Sequence, residues 1–153
     1  MGIRASAKAL VIHENKLLLN RCVSRMGLYY ALPGGGQHES ERLEETVQRE
    51  VLEETGLTVE PMRLAAFFET LTENRSGFVN AHKHYFVFVC RYLSEVPQVR
   101  PVERDAYQTG FEWFTVEEAE QLSLFPRTIR DNLRSMLESE SCVYLGSERR
   151  SAK

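Results

Sequence analysis

The chain has 153 residues, of which 42% are hydrophobic, so one domain of ordinary size can bury a core. Its formal charge of −3 excludes the strongly basic surface with which proteins neutralise the phosphates of nucleic acids, but a nucleotide-sized anion is compatible with it. Three cysteines without CxxC spacing predict neither a disulfide framework nor a thiolate zinc site, and therefore a reducing, cytoplasmic environment. Charged residues come too early at the N-terminus for a signal-peptide core, and no apolar run approaches the roughly 18 residues of a membrane helix, so no membrane contact is expected.

The first predicted element is a hairpin. Residues 7–20 consist of two apolar runs separated by the polar stretch HENK. A short strand over Leu28 to Leu32 follows, and it ends at a proline and the triple glycine Gly34 to Gly36. Because glycine adopts backbone conformations that other residues resist, this stretch is predicted to be a tight loop.

A helix is predicted next, from about Ser40 to Thr55. Ser40 is the candidate N-cap, and Gly56 is expected to end the helix. One face of this helix should pack on the core, because its apolar residues recur at every fourth position. They are Leu43, Val47 and Val51.

The second half of the chain is predicted to contain strands and then helices. The strands are predicted at 63–71, 82–93 and 111–115, and the helices at 116–122 and 128–139. This order predicts an α+β fold with helices on both faces of a mixed sheet. A single domain is expected over residues 1–140, followed by a frayed tail at 141–153, where polar residues predominate.

Beside its apolar stripe, the predicted helix carries a strip of three acids. Glu50, Glu53 and Glu54 fall within an arc of roughly 100°. Neither Glu50 nor Glu54 has a Lys or Arg three or four positions away, and Glu53 has only Arg49. Repulsion of this kind is relieved by protons or by a divalent cation such as Mg²⁺, which prefers oxygen ligands. A carbonyl of the glycine loop could face the same cation.

The spacing of these residues resembles a known motif. Gly35, five residues, Glu41, seven residues, and then Arg49 to Leu57 (REVLEETGL) match every specified position of the Nudix box, G-x5-E-x7-R-E-U-x-E-E-x-G-U with U apolar. The box covers 23 residues, and an LPGG lead-in precedes it. The chain is therefore similar to Nudix hydrolases. The resemblance implies that it folds as an αβα sandwich with a mixed central sheet.

The resemblance implies a set of roles for the box residues. Glu50 and Glu54 would be the main ligands of Mg²⁺ or Mn²⁺, together with Glu53 and the carbonyl of Gly34, and the three glutamates would serve catalysis. Glu41 and Arg49 would pair to brace the loop, which would leave the acidic strip free for cations. Gly35 and Gly56 would be structural.

Other roles stay open at this stage. In this family the general base can be a box glutamate or an acid from a later loop, and the later candidates are Glu103, Asp105 and Glu112. Glu112 could also be a further metal ligand. Arg21 and Arg25 are candidates for binding substrate phosphate.

Two histidines stand outside the box pattern. His82 and His84 should share one face of a strand, with Lys83 on the other face. Because the sequence indicates no third ligand near them, they are interpreted as half-buried polar residues.

The resemblance implies metal-dependent hydrolysis of a diphosphate linkage in a nucleoside diphosphate derivative. The alternatives are a non-catalytic module that binds nucleotides and an enzyme that hydrolyses a capped or triphosphorylated RNA end. The chain lacks the signatures of specialised subgroups; for example, Glu73 stands where ADP-ribose enzymes would show proline. The expected partner is a small nucleotide-type substrate and not a nucleic acid. The oligomeric state, including a homodimer, is left open.

Overall fold

The protein is described by a computed structural model that covers residues 2–96 and 107–151. These residues form eight strands and four helices. In chain order they are β1 (Ile3–His13), β2 (Lys16–Ser24), β3 (Gly27–Ala31), β4 (Gly34–Gly36), α1 (Leu43–Thr55), β5 (Leu57–Glu73), β6 (Val79–Glu95), β7 (Gln108–Thr115), α2 (Val116–Glu120), α3 (Arg127–Asp131), α4 (Leu133–Glu138) and β8 (Val143–Ser151). None of the helices in these ranges is long and apolar enough to span a membrane.

The strands form one mixed sheet. Their order is β3-β2-β1-β6-β5-β8, with β4 paired to β1 and β7 paired to β2. The β1–β6 and β5–β8 pairs are parallel, whereas the other pairs are antiparallel. The predicted loop at the triple glycine is partly strand, because residues 34–36 pair with residues 6–8 of β1.

Helices cover both faces of the sheet, as the predicted αβα sandwich requires. Val47 and Val51 of α1 are fully buried and pack on one face against small and branched residues of β1, namely Ala7, Ala9 and Val11. On the other face, the short helices α2 to α4 bury Ala119, Ile129, Leu133 and Met136 against Leu10, Leu17 and Leu19. The apolar stripe predicted from the spacing of α1 therefore points into the core.

Helix α1 starts later than predicted. It begins at Leu43, and Ser40 does not cap it, because Ser40 has a left-handed φ of 65° and the N-cap position is occupied by Arg42. The backbone turns before the helix so that the Glu41 carboxylate can accept hydrogen bonds from the His38 amide and the Thr46 hydroxyl. The predicted end is confirmed: Gly56 is left-handed, with φ 75°, and its N–H donates to Leu52.

The prediction of a frayed tail is wrong for residues 143–151. They form β8, which pairs in parallel with β5 at the edge of the sheet. None of the side chains of β8 is fully buried, so polar and charged residues suit it, and local composition does not distinguish it from a disordered tail. Arg149 of this strand pairs with Glu73 of β5 at 2.6 Å. The last predicted helix is also interrupted, because α3 and α4 are separated at Asn132.

Candidate active site

The glycine stretch fits closely against β1 and α1. Gly34 has a φ of 142°, and a Cβ atom at this position would lie 2.1 Å from the carbonyl oxygen of Ala7. A Cβ atom on Gly35 would lie 2.5 Å from a carboxylate oxygen of Glu50. Only glycine therefore lets the backbone pass between β1 and the carboxylate of Glu50.

Arg49 connects this loop to the helix. Its Nε and Nη2 atoms donate to the two carboxylate oxygens of Glu41 at 2.7 and 3.0 Å, and Nη2 also donates to the carbonyl of Gly36 at 3.0 Å. The ion pair between Glu41 and Arg49 that the sequence predicts is thus present. The Arg49 guanidinium is the main cause that lowers the pKa of Glu41 to about 2, and hydrogen bonds from Thr46 and His38 add to it.

Arg49 also contacts the acidic strip, which we expected it to leave free. Its Nη1 atom donates to Glu50 at 3.0 Å and to Glu53 at 3.3 Å. The long guanidinium reaches the adjacent residue as well as the residue one turn away, so a rule based on spacings of three and four misses the first contact. Glu50 and Glu53 are therefore partly neutralised in this structure.

Glu54 has a different environment from its two neighbours. It is 5% exposed, and its carboxylate accepts hydrogen bonds from the Asn20 side-chain amide and from the Gly34 N–H. Burial raises the pKa of Glu54 to about 8, and the charge of Glu50 acts in the same direction, against the ammonium of Lys8 and the bond from Asn20. Glu54 is the box acid that gains most from a compensating positive charge.

The donor atoms around Glu54 suit a hard cation. The Gly34 carbonyl, implied as a backbone ligand, accepts a hydrogen bond from Lys8 Nζ at 3.2 Å, so an ammonium lies beside the atoms that a metal ion would use. The amide oxygens of Asn20 and Gln108 are buried and have no hydrogen-bond partner among the described residues. Carboxylate, carbonyl and amide oxygens are the ligands that Mg²⁺ and Mn²⁺ prefer, so these residues fit such an ion.

A cavity of about 210 Å³ opens beside Glu54. Its cationic lining comes from three strands: Lys8 of β1, Lys83 of β6 and Arg150 of β8. The guanidinium of Arg150 lies 4.3 Å from the centroid of the Phe125 ring, and its Nη2 atom is buried without a hydrogen-bond partner among the residues described. The Nε atom of Arg150 donates to Glu148 at 3.1 Å, so an anionic group in this cavity would find the charges of Lys8 and Lys83 and the remaining Nη2 donor of Arg150.

Most of these lining residues were missed by the sequence analysis. Lys8, Asn20, Lys83, Gln108 and Arg150 carry no motif and come from five strands. Asn20 gave the strongest signal, because a polar residue that directly follows the apolar run LLL within a strand must find a partner or face a site.

Three of the predicted additional residues lie away from this cavity. Asn20 pairs with Phe111 across β2 and β7, whereas Glu112 pairs with Leu19 on the other face of the same strands. There Glu112 accepts a hydrogen bond from the Tyr30 hydroxyl at 3.1 Å. Arg21 follows Asn20 in β2, so its side chain lies on the opposite face of the strand, where it donates to Thr109 at 3.0 Å.

Arg25 is exposed between β2 and β3 and does not line the cavity. The structure therefore does not bring Glu112, Arg21 or Arg25 to Glu54. The positions of Glu112 and Arg21 depend on the register of strands that the sequence does not fix, and Arg25 lies in the turn after β2. Glu103 and Asp105 lie outside the described residues.

Comparisons with known proteins agree with the fold and the box. The sequence model of the NUDIX domain matches residues 2–136. Similar solved structures include the MutT protein from Methanosarcina mazei Go1, which is 26% identical over 88% of this chain and 92% of that chain, with a TM-score of 0.61. The mutator MutT protein from Bacillus halodurans is 23% identical over 92% of this chain and 86% of that one, with a TM-score of 0.69.

An ADP-ribose pyrophosphatase from Streptococcus suis is also similar, at 21% identity over 95% of this chain and 98% of the other, with a TM-score of 0.62. Together these matches confirm the predicted family and the predicted α+β fold. The chain therefore belongs to the NUDIX domain family.

Proposed function

We propose that this protein hydrolyses a diphosphate linkage in a small nucleoside diphosphate derivative. The observation that carries the proposal is the juxtaposition of the buried Glu54 carboxylate with a cavity lined by Lys8, Lys83 and Arg150. Glu54 and Gly34 provide oxygen ligands on one side of this cavity, and the basic residues provide contacts for phosphate on the other. A diphosphate needs both kinds of group.

Glu50, Glu53, Glu54 and the carbonyl of Gly34 would hold Mg²⁺ or Mn²⁺. When bound, such an ion would offset phosphate charge and lower the pKa of a water molecule. Arg49 holds Glu50 and Glu53 in place through Nη1 while it anchors the loop through Glu41. Glu54 is held by Asn20 and Gly34, so its carboxylate has a fixed direction before substrate arrives.

The same side chains manage protons and charge. Because burial raises the pKa of Glu54 to about 8, the protonated form is favoured at neutral pH without a metal, and a bound cation would favour release of that proton. Lys8 would move from the Gly34 carbonyl toward the phosphates under the same exchange. The general base is proposed to be one of the box glutamates, since Glu112 lies on the other face of β2 and β7 from Asn20.

The cavity also supports a nucleotide as the organic part of the substrate. The aromatic side chains of Tyr29, Tyr85 and Phe125 line it, and aromatic rings of this kind stack on bases. The solved structures similar to this chain include an ADP-ribose pyrophosphatase and a UDP-X diphosphatase by their names, which are both enzymes for nucleoside diphosphate derivatives. We propose the same broad class here, in the cytoplasm.

The test is a substrate panel with and without Mg²⁺ or Mn²⁺. It should include ADP-ribose, NADH, dinucleoside polyphosphates, nucleotide sugars and oxidised nucleoside triphosphates. We expect metal-dependent release of a nucleoside monophosphate or of pyrophosphate from at least one of them. If every compound is left intact but some bind, the protein is a non-catalytic nucleotide-binding module and the proposal is wrong.

A further inference from the structure

A second group of potential metal ligands lies outside the box. Glu69 of β5 and two histidines of β6, His82 and His84, form what we term the Glu69 cluster. One ligand atom from each of the three residues lies within 4.8 Å of the others. The Nε2 atoms of His82 and His84 are 2.8 and 3.5 Å from the same carboxylate oxygen of Glu69.

The register of the sheet creates this cluster. Glu69 is paired directly with His84 across β5 and β6, and His82 is two residues further along the same face. Lys83 and Tyr85, which line the cavity beside Glu54, alternate to the other face. The Glu69 cluster therefore shares no residue with the candidate active site.

Neighbouring groups hold the three side chains in this arrangement. Ser147 of β8 donates to the second carboxylate oxygen of Glu69 at 2.7 Å, which leaves the first oxygen facing the histidines. The Phe67 ring packs edge-on against the His84 ring, with 5.3 Å between centroids. Hydrogen bonds from outer residues, such as that of Ser147, orient the side chains that bind metals in proteins.

We propose that the Glu69 cluster binds a divalent cation of the zinc class. Two imidazoles and one carboxylate are a common ligand set for Zn²⁺ and leave one coordination position for water. The three ligand side chains are 22 to 31% exposed, so both an ion and that water can reach them. Imidazole favours Zn²⁺ and similar ions over Mg²⁺, so this site and the box acids differ in metal preference.

Only a small movement is needed to load the site. Ligand atoms around a tetrahedral zinc ion are about 3.3 Å apart, given bonds of about 2.0 to 2.1 Å. The two contacts of Glu69, at 2.8 and 3.5 Å, bracket that separation, and the ligand atoms of the two histidines lie within 4.8 Å of each other. The ion would take the place of the direct contacts of His82 and His84 with Glu69, and it would tie β5 to β6, with β8 attached through Ser147.

Calorimetric titration with ZnCl₂ in excess Mg²⁺ tests the proposal. The wild-type protein should bind one Zn²⁺ per chain, and either His82→Gln or His84→Gln should weaken that binding at least about 100-fold, because even an outer-shell loss costs 10- to 100-fold. Ser147→Ala should weaken it about 10-fold. Glutamine keeps a donor for Glu69, and circular dichroism checks that each variant is folded.

Matched variants separate this site from other histidines and from the box. His38→Gln removes an exposed imidazole outside the cluster and should leave zinc affinity unchanged, as should Glu54→Gln. The wild-type protein also gives a test that needs no cluster variant: Zn²⁺ should shift the imidazole nitrogen resonances of two of the four histidines, and His13→Gln and His38→Gln identify the other two. No zinc binding, or zinc binding that survives the double variant His82→Gln/His84→Gln, would overturn the proposal.

Discussion

The two faces of strand β6 carry different chemistry. On one face, Lys83 and Tyr85 line the cavity beside Glu54, where the potential ligands are oxygen atoms. On the other face, His82 and His84 meet Glu69, so nitrogen atoms predominate. Because side chains alternate along a strand, one stretch of chain serves two sites without sharing a residue between them. Each site can therefore be removed by substitutions that leave the other site intact.

The largest effect should come from Glu54→Gln. We expect kcat/KM for the substrate found in the panel to fall at least about 10³-fold, or about 4 kcal/mol, because the variant removes a buried charge from the proposed metal site. Steady-state kinetics in saturating Mg²⁺ measure this. The matched control is Glu44→Gln, which removes an exposed acid from the first turn of the same helix. Equal activity in the two variants would contradict the assignment of Glu54.

The second prediction concerns the pH dependence of stability without metal. Glu54 has a pKa of about 8 in the folded protein against an ordinary value of 4.5, so between these values the folded state holds a proton that the unfolded state releases. Stability should therefore fall as pH rises through this window, by at most about 1.4 kcal/mol per pH unit from this group.

Urea unfolding of wild type and Glu54→Gln in chelator, from pH 5 to 8, measures the difference. The slope of the wild type should be the steeper one, and Mg²⁺ should restore stability at the alkaline end. Parallel curves for the two proteins would show that the carboxyl group of Glu54 titrates normally.

The third prediction tests the brace between loop and helix. Glu41→Gln should lower the free energy of unfolding by about 2 kcal/mol at neutral pH, because it leaves the largely buried Arg49 without its main partner. Since the pKa of Glu41 is lowered to about 2, this contribution is present above about pH 4.5 and is lost as pH falls toward 2. The two proteins should therefore converge in acid.

Glu45→Gln provides the comparison for that variant. Glu45 pairs with the exposed Arg42 at 2.6 Å, and its loss should cost less than about 0.5 kcal/mol. A loss as large as that of Glu41→Gln would mean that the brace has no special role.

The smallest effect is expected for Arg150→Met. Loss of this cavity guanidinium should raise KM about 10-fold, or about 1.4 kcal/mol, with a smaller change in kcat, because the proposed contact is to bound phosphate. Arg149→Met alters the neighbouring arginine of β8, which pairs with Glu73 and does not line the cavity, and should leave KM unchanged. If Arg149→Met raised KM more than Arg150→Met does, the phosphate of the substrate would not bind in the cavity that Arg150 lines.

The box could be predicted from sequence because its information is local. The 3.6-residue period of a helix places Glu50, Glu53 and Glu54 on one side of α1, and Gly56 marks the end of that helix. Residue types and spacings within 23 consecutive positions were therefore enough to place the acids on one side of α1, next to its buried face.

The remainder of the site depends on long-range pairing. Lys8, Asn20 and Gln108 meet Glu54 only because β1, β2 and β7 have a particular order and register. Likewise, Glu69 reaches His84 through the pairing of β5 with β6, and the sequence alone showed no third ligand. Strand β8, with Arg150 and Ser147, was missed because an edge strand needs little apolar patterning.

The most direct test of the proposed active site is calorimetric titration of Mg²⁺ or Mn²⁺ at pH 7, with a non-hydrolysable nucleoside diphosphate analogue present, in buffers of different ionisation heat. We expect binding accompanied by proton release, because a cation displaces the proton of Glu54, and we expect Glu54→Gln to lose that release. Absence of binding in the wild-type protein would contradict the central claim that the box acids hold the cation.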